Sequence, residues 1–281
     1  MSLDPILSII TVVFNNENYI GKAIENFLSQ NCEVAELLIV DGASTDNTLL
    51  IIKKYASEYP TIRWISEKDS GQSDAMNKSL KLAKGKYISF LNVDDYYSNG
   101  VLNEVVSIIS KDGAPSFIVG NCHVWDEKEH LVYVNKPRKL KTWHILSGFY
   151  LPVNPTAYFY RKDLHEKIGN FNEENHHNMD IEFLIEASLV TEMKYYPKDW
   201  GNFRLLPNTK TVNDQEDGSL HYRKKELFKS FLDRLPIKIK FFTQCVIYYE
   251  TLKRKIFLTF KIIKTPFEMV YWKMNKLFVS K

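Results

Sequence analysis

The sequence has little cysteine: three in 281 residues, Cys32, Cys122 and Cys245, set far apart. Neither a zinc-ligand spacing nor a disulfide framework can be built from them, and a reducing compartment is the expectation. The chain opens without a basic stretch followed by an apolar run, so no secretory leader is expected. No run of about 18 apolar residues occurs, and no membrane-spanning helix is expected. Gly-x-Gly-x-x-Gly is missing after the first strand-like segment, as is a Walker lysine loop, which argues against a dinucleotide dehydrogenase and a P-loop enzyme. Internal repeats and low-complexity stretches are also missing.

What is present suits a globular α/β protein. Hydrophobic residues make up 44% and charged residues 25%, enough to bury a real core. The net charge of +3 hides a split. Residues 221–281 carry 15 Lys/Arg and 4 Asp/Glu, a net of +11, which leaves −8 for residues 1–220. An acidic body with a basic tail points to contact with an anionic surface or polymer.

The first 110 residues alternate strand and helix. Apolar, β-branched runs predict strands at 6–14, 36–41, 62–66 and 86–91. Helical stripes follow from Ile20, from Leu49 and over 73–84, with Ser44 or Thr45 as the N-cap of the second helix. Short connections in this order imply a mostly parallel sheet covered by helices. Beyond residue 100 the rhythm changes. A helix is predicted at 101–110, strands at 116–120, 124–134 and 155–160, and a helix at 180–189. The tail reads as helices broken near Pro236 and Pro266.

Ligands of parallel α/β sheets bind outside the carboxyl ends of the strands. Polar residues gather there: Asn15 and Glu17, then Asp41, Asp69, and Asp94 with Asp95. Any one of them is ordinarily a solvated cap or turn former; four successive strand ends on one rim are a stronger signal. Asp94-Asp95 offers hard oxygen ligands suited to Mg²⁺ or Mn²⁺, or else caps the helix before Val101.

Together these segments resemble family 2 glycosyltransferases of the GT-A fold. The matching stretches are Ser8–Asn15, Val40–Thr48, Glu67–Lys78 and Gly85–Asp95. Further matches are Asn154-Pro155-Thr156, Lys167–Phe171 and Met179-Asp180, so the likeness covers roughly residues 6–215. It implies a GT-A Rossmann-like α/β fold, with a donor half at 1–110, an acceptor half at 111–220 and a helical extension at 221–281. By position, it puts Thr11, Asn15 and Glu17 in the base and ribose pocket, has Asp41 accept from a uracil-like base, and sets Asp69 near the nucleoside. Asn77 would face the donor. Asp94 and Asp95 would be the ribose and metal carboxylates, with Mn²⁺ or Mg²⁺ as cofactor. Asn92 stands where the family often has Asp, and Met179 where Glu is common.

Inverting transfer needs a base for the acceptor hydroxyl, and a carboxylate fits. Asp180 matches the family's base, with helix capping as its other reading; Glu182 would point about 200° away on a helix. His176-His177 reads as an acceptor loop. Asn154 and Arg204 are candidates for acceptor or diphosphate contact, with a plain surface Arg as the alternative for Arg204.

The expected activity is metal-dependent hexosyl transfer from a nucleotide-sugar, a UDP-sugar favoured, to a saccharide or lipid-linked saccharide. Two rivals are a sugar nucleotidyltransferase and a scaffold that binds sugar nucleotides without turnover. The first would need a Gly-rich, basic loop after the first strand, which Asn15–Asn18 lacks. The aromatics and lysines of 221–281 suggest peripheral contact with an anionic membrane, on the cytoplasmic face. Packing on the body or on a second subunit, as in a homodimer, is the alternative. No nucleic-acid fold accompanies the tail, so no nucleic-acid partner is expected.

Overall fold

The structure is a computed structural model that describes residues 4–256, apart from His176, Asn208, Lys210, Thr211, Gln215 and Glu216. One nine-stranded sheet runs through it in the order β3-β2-β1-β4-β8-β6-β9-β5, with β7 paired to β6. Its first half is the expected parallel unit: β1 (Leu7–Val13), β2 (Ala35–Asp41), β3 (Ile62–Ser66) and β4 (Tyr87–Phe90). The helices between these strands are α1 (Ile20–Ser29), α2 (Thr48–Glu58) and α3 (Gln72–Leu82).

Side chains alternate across the strands, so each strand feeds two cores. In β1, Leu7, Ile9 and Val13 pack with α1, α2 and α4 (Val101–Ile109), while Ile10 packs on the other face with α3. That second core also holds α7 (Met179–Val190) and, as a finding, α8 (Ser219–Arg234).

Beyond residue 110 the sheet turns mixed. β6 (Phe117–Trp125) pairs antiparallel with β8 (Tyr158–Arg161), which pairs antiparallel with β4. β9 (Met193–Arg204) then runs parallel to β6, and β5 (Tyr96–Tyr97) closes the edge. The sequence reading missed β9, the longest of these strands. Pro197, Lys198, Asp199 and Gly201 break its apolar alternation, and the pairing to β6 is irregular around Asn121. Its anchor is Trp200, fully buried over Gly120, where an added Cβ would lie 2.5 Å from the indole.

Three local expectations need correction. The strand placed at 124–134 is a hairpin of β6 and β7 (Leu131–Asn135), because Asp126 accepts the backbone N–H groups of Lys128 and His130 and turns the chain. Residues 155–157 form a 3₁₀ turn before β8, since the Asn154 side chain accepts the Thr156 N–H and Pro155 opens the turn. At α2 neither Ser44 nor Thr45 caps; Asp46 Oδ1 accepts the Thr48 N–H at 2.9 Å.

The basic extension is likewise not one unit. α8 puts Phe231 into the core at 1% exposure, with Leu227, Phe228 and Leu232 beside it. A break at Leu235-Pro236 precedes α9, residues 237–256. The expected break near Pro266 lies outside the described residues. Phe231→Ala is expected to destabilise the protein by about 3–5 kcal/mol, the usual result of emptying a buried phenylalanine site. Urea unfolding checks this; a loss near zero would show that α8 is detachable.

Candidate active site

Parallel register puts the ends of β1, β2 and β3 on one rim, with Val13 beside Asp41 and Asp41 beside Ser66. β4 ends at the same edge, where Leu91 N–H donates to Ile10 O. Two loops leave the rim in unusual backbone: Asn15 has φ 46° and Ala43 φ 63°. Asparagine tolerates the left-handed region, but alanine is strained there, as is common where a loop must meet a ligand.

Several of the expected base-pocket residues hold these loops together. Asn15 accepts the Thr45 N–H through Oδ1 at 2.8 Å, and its own N–H donates to Ser44 Oγ. Glu17 accepts from the Asn47 N–H and side-chain amide. Asp41, with no exposed surface, accepts from Ser44 N–H and from the Ser66 hydroxyl at 2.6 Å. Thr11 donates to Leu91 O and is 1% exposed. Thr11 and Asp41 thus support the rim from within. Asn77 ties two elements together. Its amide donates to Phe171 O and Glu173 and accepts the Phe171 N–H, which fastens the 171–173 loop to α3.

The open hollow at this rim is lined by Phe14, Asp69 and Gln72, with Val12 and Val13 below. Phe14 is 60% exposed, a flat apolar wall that the sequence reading had not singled out. Gly42 lets the wall close up: a Cβ there would lie 2.5 Å from Asp69 Oδ2 and 3.4 Å from the Phe14 ring.

Asp94 and Asp95 follow β4. Helix capping is excluded for them, because Gly100 holds the cap position of α4. Asp95 is 3% exposed. Its Oδ2 accepts from Asn92 Nδ2 at 2.8 Å and Asn154 Nδ2 at 2.7 Å, and its Oδ1 from the Arg204 N–H at 3.1 Å. Burial, and then the neighbouring Asp94 charge, push its carboxyl up to about 7. Asp94 is also pushed up by burial, with the Arg204 charge pulling the other way. Asn154 braces Asp95 from the cleft wall, and its Oδ1 is taken by Thr156 N–H and Oγ1. Arg204 lies over the Tyr96 ring with its guanidinium 4.7 Å from the centroid, and pairs loosely with Glu129.

Two adjacent carboxylates, both held up by desolvation and Asp95 also by the Asp94 charge, favour a cation. Mg²⁺ and Mn²⁺ commonly take one or two protein carboxylates and complete their shell from phosphate and water. The donor set fits that pattern. Among the described residues, no cluster of three or more His, Cys, Asp or Glu forms a closed metal cage.

A cleft of about 870 Å³, counted to its open mouth, runs from Asn92 and Asn154 to Asp180, with Tyr158 and Met179 in its wall. Asp180 is the second residue of α7 and accepts the Ile181 N–H. Glu182 faces elsewhere, accepting from Asn175 at 2.7 Å, so the two carboxylates diverge as the helix geometry requires. The far wall comes from His177, which the sequence reading put in an acceptor loop, and from Asp214, which it did not weigh. Asp214 accepts from His177 at 2.8 Å and from Arg223 at 2.6 Å. Lys224, from α8, is half-buried, and its desolvation lowers its pKa, while Asp180 acts to raise it. His176 lies outside the described residues. The charge of residues 221–225, which also bears on this wall, was read as part of a separate tail.

The sequence pattern of glycosyl transferase family 2 matches residues 8–169, more than half of the chain. The chain belongs to that family. A glycosyltransferase of Rickettsia prowazekii, itself described as uncharacterised, is 28% identical over 68% of this chain and 61% of its own length. The minor teichoic acid biosynthesis protein GgaB of Bacillus subtilis is 36% identical over 37% of the chain, but the match is 12% of that protein. The chain thus spans about three fifths or less of the curated relatives compared here. Staphylococcus aureus TarS 1–349, solved with UDP-GlcNAc, superposes with TM-score 0.62 at 20% identity, covering 73% of this chain and 60% of that one. The mannosyltransferase PcManGT of Pyrobaculum calidifontis, solved with GDP-Man and Mn²⁺, gives 0.62 at 17%, covering 88% and 70%. These likenesses establish the GT-A fold of the family.

Asn154→Ala takes a charged hydrogen bond from Asp95 and strands the Thr156 N–H, a loss of about 2–4 kcal/mol for buried groups. Thermal unfolding of the variant should show it; an unchanged melting curve would mean Asp95 is supported without Asn154.

Proposed function

We propose that the protein transfers a sugar from a nucleotide-sugar, a UDP-sugar by preference, to a saccharide or lipid-linked saccharide, with inversion. The reading is carried by one cleft that runs from Asn92 and Asn154, the two side chains that hold Asp95 of the acidic strand end, to a helix-borne carboxylate, Asp180. TarS with UDP-GlcNAc and PcManGT with GDP-Man and Mn²⁺ support the donor class and the divalent ion. In this reading residues 1–110 hold the donor, 111–220 shape the acceptor side, and the enzyme works at the cytoplasmic face of a membrane.

Each group then has a task. The nucleobase stacks on Phe14, with Asp69 and Gln72 at its edge. Asp94 and Asp95 would hold Mn²⁺ or Mg²⁺, which supplies Lewis-acid neutralisation of the departing diphosphate. Arg204, already within electrostatic reach of Asp94, adds a fixed positive charge on that side. Asp180 takes the acceptor proton as its oxygen attacks the anomeric carbon in line with the leaving group. His177 and Asp214 form the wall that keeps water from competing, and the Lys224 charge acts on Asp180. No covalent glycosyl-enzyme forms.

The donor site is tested by calorimetry with UDP. Binding should strengthen with Mn²⁺ or Mg²⁺, and Asp95→Ala should abolish the gain. Equal affinity with and without EDTA would sink the metal assignment. Gly42→Ala should weaken UDP binding at least about tenfold, because the added methyl displaces Asp69 and Phe14.

The base is tested by Asp180→Asn. Donor binding should persist while transfer falls by about 10²–10⁴-fold, the usual worth of a positioned base. Wild-type hydrolysis of no nucleotide-sugar, in a panel with Mn²⁺, together with intact UDP binding, would favour the scaffold reading instead.

A further inference from the structure

We propose that α9 and the basic loop before α5 (Thr142–Leu146) form one docking face for an anionic lipid bilayer. This deepens the membrane part of the reading above, and its test does not depend on sugar transfer.

The helix is amphipathic in the wrong sense for one that only caps the body. Its inward side carries Thr243 and Glu250, both buried, and Glu250 accepts the Tyr150 hydroxyl. At about 100° per residue, the opposite side carries a stripe spaced four, four, three, four and four residues apart. The stripe is Ile237, Phe241, Cys245, Tyr248, Leu252 and Ile256, and every member is exposed. Ile237 is 84% exposed, Phe241 63% and Tyr248 72%. An apolar, aromatic stripe of this length on a surface helix marks an interaction site.

Charge selects the partner. Exposed Lys238 and Lys253 lie on the same helix, whose one acid, Glu250, is turned inward. The loop adds exposed Lys136, Arg138, Lys139 and Lys141, with no acid among residues 136–141. The two segments are joined: the Lys141 ammonium sits 5.2 Å over the Trp143 ring, and that ring stacks on Phe242 with centroids 5.2 Å apart. Glu192 shares a hollow with the loop and is outnumbered there by Arg138, Lys139 and Lys141. A second copy of this chain packed about a two-fold axis would set these cations against themselves. An anionic leaflet complements them, and the aromatic stripe suits the headgroup layer.

The test is co-sedimentation of the full chain with vesicles of phosphatidylcholine alone or mixed with phosphatidylglycerol. Binding should require phosphatidylglycerol and weaken as salt rises. The exposed double variant F241E/Y248E should bind at least about tenfold more weakly, since it removes two aromatic anchors. R138E/K139E should lose about fivefold or more per reversed cation. Both variants should keep the wild-type melting curve and UDP affinity, which separates lost docking from a damaged donor site. Full vesicle binding by either variant would overturn the proposal. So would failure of the wild type to bind anionic vesicles at low salt, or a dimer in sedimentation velocity that F241E/Y248E dissolves.

Discussion

A carboxylate buried to 3% exposure has to find hydrogen bonds, and Asp95 takes them from its own loop and from two distant stretches of chain. Asn92 comes from the end of β4, Asn154 from the turn into β8, and the Arg204 N–H from the end of β9. These strands belong to the parallel and mixed halves of the sheet, so one side chain joins them at the point where the cleft opens. The bonds to Asn154 and Arg204 close only if β8 and β9 sit in their observed register. Trp200 over Gly120 helps to set that register, and the Trp200 ring nitrogen donates to Glu104 of α4. Packing on one face of the sheet therefore positions charge at its rim.

The sequence was legible where chemistry is local. The parallel unit could be read from β-branched runs and short turns, and the strand ends named the acidic rim. Asp180 and Glu182 separate as the helix angle requires. Longer-range facts were not legible. Resemblance placed Asp41, Thr11 and Asn77 by position, but could not show that their polar atoms also engage Ser44, Ser66, Leu91 and Phe171. No one-dimensional pattern says whether a polar side chain is spent on the protein or left for a ligand. β9 escaped for a related reason: its polar residues follow neighbours brought together only by the closed sheet.

The basic C-terminal region shows how composition can mislead about boundaries. Its charge was counted over 221–281 as one block, but α8 belongs to the acidic body by packing and by pairing. Arg223 meets Asp214, Arg234 meets Glu186, and Lys224 is half-buried near Asp180. Part of the positive charge thus balances the cleft's own carboxylates. Exposed cations beyond Pro236, Lys238 and Lys253 among them, are left for an external partner, and they are reinforced by cations at 136–141 that the tail arithmetic never included.

Two positions depart from the family's usual pattern, and both have local reasons. An aspartate at 92 would place another negative oxygen about where Asn92 now donates to Asp95, beside a pair already repelling itself. The amide stabilises the charged form of Asp95 instead. Met179 is 7% exposed within the core, where a glutamate would have to be desolvated. Its neighbour Asp180 still lines the cleft. Neither substitution removes a group that the proposed chemistry uses, so they are better read as adjustments of support than as marks of a disused site.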